Sequence, residues 1–76
     1  MAFTVDSLIR IVAAGGGLII DCHGYTLDSL IRIAAASSAS GAKVILTNTA
    51  GFAVDSLIRI GAASNGNIVI DTRPLQ

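Results

Sequence analysis

The hexamer Asp6-Ser7-Leu8-Ile9-Arg10-Ile11 recurs unchanged as Asp28-Ser29-Leu30-Ile31-Arg32-Ile33 and again as Asp55-Ser56-Leu57-Ile58-Arg59-Ile60. The offsets of 22 and 27 residues between copies match the period of architectures made by repeating one small supersecondary unit. The likeness continues outward from the hexamer. Three residues upstream of each copy stands an aromatic, Phe3, Tyr25 or Phe52, and these are all the aromatics of the chain. Downstream come small residues and then a short aliphatic run: Leu18-Ile19-Ile20, Val44-Ile45-Leu46 and Ile68-Val69-Ile70. Residues 1–76 therefore read as a single repeat domain with units at 3–24, 25–51 and 52–75.

The first part of each unit predicts a helix. Val5, Leu8, Ile9 and Val12 follow the i, i+3, i+4, i+7 spacing of one buried face, and Ile11 widens the apolar stripe. Thr4 and Thr26 suit the N-cap, where a hydroxyl accepts an orphan backbone N–H; Ala53 in the third unit lacks that oxygen. With these caps, Phe3 and Leu8, Tyr25 and Leu30, and Phe52 and Leu57 take the two positions of a hydrophobic staple. Asp6 with Arg10, Asp28 with Arg32 and Asp55 with Arg59 are four apart with the acid first, the favourable order for surface charge pairs. Gly15 to Gly17, Ser37 to Gly41 and Ser64-Asn65-Gly66 are helix-ending and loop chemistry, and Ala34-Ala35-Ala36 extends the second helix by about one turn before Gly41 ends it. The aliphatic runs are too short for helices and rich in Ile and Val, so they predict buried strands.

Helices and strands alternating in one order predict parallel strands joined by right-handed crossovers. The expected fold is α/β: three helix-strand repeats forming a short right-handed solenoid with a parallel sheet, uncapped at both ends. In period and element order the chain resembles leucine-rich repeats, whose signature is loosely echoed around Leu18-Ile19-Ile20-Asp21-Cys22 and Val44-Ile45-Leu46-Thr47-Asn48. It also resembles short bacterial repeats of the Asp-Ser-Leu-x-Arg-Ile type, a likeness that implies a fold and no activity. The alternative architecture is a compact three-stranded α/β sandwich.

Composition narrows the function classes. The chain is 53% hydrophobic and 13% charged, with five basic and five acidic side chains. So few charges exclude a disordered chain, and neutrality argues against a nucleic-acid partner, which is bound largely through excess Lys and Arg. A membrane span needs about 20 consecutive apolar residues, whereas the run from Leu8 to Ile20 is broken by Arg10 and three glycines. Met1 to Val5 has no basic residue of the kind that opens a secretory signal. We expect no membrane span and a cytoplasmic location. The single Cys cannot form an intramolecular disulfide.

A chain this small and this apolar points to self-association. Solenoids usually end in atypical, polar capping repeats; here the first helix repeats the internal one, and Leu75 stands relative to Ile70 where Tyr25 stands relative to Ile20. Edge strands with unpaired N–H and C=O groups would be templates for another copy. We therefore expect a structural subunit whose partners are copies of itself, stacked head-to-tail through Phe3, Val5, Leu8, Ile11, Leu18 and Ile20 at one end and Leu57, Ile60, Ile68, Ile70 and Leu75 at the other. Such a heterologous contact gives a ring or, as favoured here, a helical filament or tube. Strands spaced about 4.8 Å apart beneath helices spaced roughly 8 to 10 Å apart bend the stack by roughly 20 to 25° per repeat, or on the order of five subunits per turn. The alternative function is a small adaptor that docks a different protein through the same ends.

Catalytic, metal and cofactor chemistry finds little support. Cys22 and His23 are consecutive, so on a strand they point to opposite faces, poorly placed as nucleophile and base; they read as a packed small hydrophobe and a surface imidazole. One Cys and one His fall short of a structural zinc set. Gly15-Gly16-Gly17 follows a helix, where the terminal carbonyls repel anions, rather than preceding one as phosphate loops do. The Arg10, Arg32 and Arg59 ladder is interleaved with Asp6, Asp28 and Asp55, which cancels its field. We expect no enzyme activity.

Overall fold

A computed structural model describes residues 3–73. The elements follow the order α1 (Val5–Ala13), β1 (Leu18–Asp21), α2 (Leu27–Ser40), β2 (Val44–Thr47), α3 (Val54–Ser64) and β3 (Ile68–Ile70). The three strands form one open parallel sheet in the order β1-β2-β3. Its register aligns equivalent positions of the three units: Leu18 beside Val44 beside Ile68, Ile19 beside Ile45 beside Val69, and Ile20 beside Leu46 beside Ile70. Helix α2 packs against both α1 and α3, so the helical layer runs in the same order as the sheet.

Local chemistry sets the helix boundaries. The Thr4 hydroxyl accepts from the Ser7 backbone N–H at 3.2 Å, and Thr26 does the same for Ser29 at 3.2 Å. Each hydroxyl also donates to the following serine Oγ at 2.9 Å. Ala53 begins α3 without a side-chain cap. At the other end α2 stops at Gly41, whose φ of 80° is the left-handed cap conformation that costs glycine nothing.

The Ser37 to Ser40 stretch, expected as loop chemistry, is helical. Its hydroxyls satisfy helix carbonyls and so do not compete with the helix: buried Ser37 donates to the Ala34 carbonyl at 2.7 Å, and Ser40 reaches across to the Val12 carbonyl of α1 at 2.7 Å. At 14 residues, α2 exceeds the 9 of α1 by more than one turn.

The core lies between the layers. Leu8, Val12, Ile20, Leu30, Ile33, Val44, Leu46 and Ile60 are buried there with Cys22, Ala34 and Ala42. The staple aromatics Tyr25 and Phe52 pack on its margin. Since the helices cover one face of the sheet, the alternate strand positions Ile19 and Val69 are exposed and Ile45 is half-buried. The expectation of buried strands therefore holds for the inward side alone, fully at Ile20, Val44 and Leu46 and in part at Leu18, Ile68 and Ile70.

Candidate interaction surfaces

The hexamer lets identical residues be compared in three positions. Its sixth residue faces the preceding unit: Ile33 and Ile60 are completely buried, whereas Ile11, with no unit before it in the described chain, is 39% exposed. Its fourth residue faces the following unit: Ile9 and Ile31 are half-buried, whereas Ile58 is 61% exposed. The first helical residue behaves like the fourth, with Val5 and Leu27 half-buried and Val54 73% exposed. Two apolar end faces result from one repeated pattern.

The face on the α1 side is concave. Phe3, Ser7, Arg10, Ile11 and Ala14 line a shallow groove along the helix. A second depression at the β1 edge is lined by Phe3, Leu8, Ile19, Ile20, Asp21, His23 and Tyr25. The opposite face, on α3, exposes Val54 and Ile58. Among the described residues each of β1 and β3 pairs with β2 alone, so each has one edge with backbone donors and acceptors unpaired there.

The units are joined by hydrogen bonds as well as by packing. The Tyr25 hydroxyl donates to the Phe3 carbonyl at 2.8 Å, joining the first two units at their N-terminal corners. Asn67 Nδ2 donates to the Ser37 carbonyl at 3.0 Å, and Thr49 Oγ1 to the Asp71 carbonyl at 2.9 Å, joining the second unit to the third. Beside β1, Asn48 Nδ2 and the His23 backbone N–H both donate to Asp21 Oδ1 at 2.9 Å. These donors, His23 N–H first, hold the Asp21 carboxyl below its ordinary range. Asn48 is an extra residue in that turn and takes a positive φ of 55°.

The sequence-derived interface positions divide three ways. Phe3 and Ile11 are exposed; Val5, Leu18, Leu57, Ile68 and Ile70 are half-buried; Leu8, Ile20 and Ile60 lie inside the core of this chain. Leu75 lies outside the described residues. On the α3 side the exposed apolar residues are Val54 and Ile58, which sequence reasoning passed over. The signal was present in the hexamer, since its fourth and sixth residues are two apart, about 200° round a helix, and so face opposite neighbours.

The surface charge pairs differ from expectation. Asp6, Asp28 and Asp55 and the arginines four residues on are exposed, yet the only ion pair among the described residues is Arg73 with Asp71, Nε to Oδ1 at 2.9 Å. Holding a long arginine in one geometry in water gains little over its rotamer entropy. Arg73 also donates from its second nitrogen and backbone N–H, and these bonds draw the Asp71 carboxyl down to about 2.

Cys22 is buried and His23 exposed. Burial, and to a smaller extent the Asp21 charge, push the Cys22 thiol up to about 11, which keeps it protonated and unreactive at neutral pH. Among the described residues no three His, Cys, Asp or Glu side chains gather where they could hold a metal ion, and no helix is long and apolar enough to cross a membrane. Comparison of the chain with protein-family models, with curated proteins and with solved structures found no match.

Proposed function

We propose that this chain is a self-assembling structural subunit, a short α/β solenoid that stacks head-to-tail, with the third unit of one copy against the first unit of the next, into a helical filament or tube. The main support is the contrast at equivalent positions: Ile11, Val54 and Ile58 are exposed where their internal counterparts are covered by a neighbouring unit of the same sequence. A second copy would seat Val54 and Ile58 in the groove of Phe3, Ser7, Ile11 and Ala14 and set its β1 beside β3 in the register that already relates β2 to β3.

The magnitudes fit reversible assembly. Covering four large apolar side chains is worth roughly 6 to 12 kcal/mol at most, against an association cost of roughly 4 to 15 kcal/mol. Strand pairing at the edges supplies the remainder. Assembly should therefore depend on concentration. Light scattering and negative-stain microscopy of the purified chain should show linear or helical polymers that grow with concentration, and V54D/I58D should abolish them while leaving the circular dichroism unchanged. A wild-type chain that stays monomeric at high concentration would sink the proposal and favour an adaptor that uses its ends on a different protein.

A further inference from the structure

The outer face of the sheet is a third surface, which adjoins the first-unit end at Ile19 and Asp21. Ile19, Ile45 and Val69 sit side by side across the three strands, all β-branched, with Ile19 76% and Val69 49% exposed. Parallel sheets are almost always covered on both faces, and here helices cover one.

The charges around this row are arranged by strand direction. Lys43 precedes β2 and alternates with buried Ala42 and Val44, so it belongs to the outer face at the N-terminal end of the strands. Asp21 and Asp71 lie at the C-terminal end; Asp21 borders the same depression as Ile19, and Asp71 shares one with Ile45 and Val69. Arg73 neutralises Asp71. Among the described residues, one cation and one anion without an ion-pair partner therefore flank an apolar strip at its two ends. Lys43 and Asp21 are separated by about 13 Å along the strand direction.

We propose that this face packs against the same face of a second copy. The two copies are related by a two-fold axis that lies between the sheets, at right angles to the strands. The Ile19, Ile45 and Val69 rows then meet each other, and Lys43 of each copy comes within reach of Asp21 of its partner. The opposite arrangement, with strands running the same way, would set like charge over like. Sheets paired in this way lie about 10 Å apart, a gap that side chains of this size fill. The contact forms independently of the ends.

The test uses the full chain carrying V54D/I58D, which removes end stacking. Sedimentation should find this protein dimeric, and adding I19E, at an exposed position, should return it to monomer. In the same background K43D alone and D21K alone should each be monomeric, because each places like charges together across the axis. An equimolar mixture should recover the dimer, about tenfold tighter than either variant alone and weaker in high salt. A monomeric V54D/I58D protein, or a mixture no tighter than its components, would overturn the proposal. Neither result would touch end stacking, which is read from wild-type polymers.

Discussion

At Cys22 the sequence already indicated a small packed hydrophobe, since a lone thiol beside a surface His has no partner chemistry, and the side chain is indeed buried. Its pKa rises from 9.0 to about 11 in the folded chain, which sets the sign of a pH effect. A group with a raised folded pKa contributes stability that is complete below its unfolded value and is lost as pH climbs through the folded one. The difference in unfolding free energy between wild type and C22A should therefore be constant up to about pH 8 and move against wild type by about 2 kcal/mol between pH 9 and 11. Urea midpoints across that range measure it, and a flat difference would mean that the thiol is not shielded. The expected Asp-Arg pairs of the hexamer were not decided by sequence in this way. Spacing alone permits them, and the energy of an exposed pair is too small to enforce them.

The element boundaries that were legible in the sequence are those made by neighbouring residues. Thr4 and Thr26 cap their helices because donor and acceptor are three residues apart, and Ala53 fails to cap for the same local reason. Ser56 already stands where Ser7 and Ser29 stand, and Ala53 has the extended φ and ψ of a cap residue, −69° and 156°. A53T should therefore stabilise the protein by about 1 kcal/mol and raise its Tm by several degrees, whereas T4A and T26A should each cost about as much. Thermal melts of the three variants compare these directly, and an A53T melt that coincides with wild type would show that the start of α3 is held by packing instead. The end of α2 at Gly41 was legible, but the contact that holds its last turn was not. Ser37 to Ser40 carry loop chemistry by composition, but Ser40 is fixed by the Val12 carbonyl, 28 residues away in another helix. A contact of that kind has no local signature.

At the scale of the whole molecule, exact repetition made the order of elements and the alignment of strands readable, because equivalent residues of equivalent units end up side by side. It did not reveal the bare sheet face, since an Ile-Val run looks the same whether one side or both are covered. Repetition also predicts how a junction between copies can be strengthened. Inside the chain the Tyr25 hydroxyl joins the first two units by donating to the Phe3 carbonyl. The corresponding acceptor at a junction between copies is the Phe52 carbonyl, and the residue placed to reach it is Phe3 of the next copy, which has no hydroxyl. Phe3 is two-thirds exposed, so F3Y would put the added hydroxyl in water in the monomer and leave its melting unchanged. In a stack the same group would gain a hydrogen bond worth about 0.5 to 1.5 kcal/mol per junction, lowering the critical concentration for assembly by about two- to tenfold. Light scattering of F3Y against concentration reads this directly. An unchanged critical concentration would mean that the copies do not meet as successive units of one chain do.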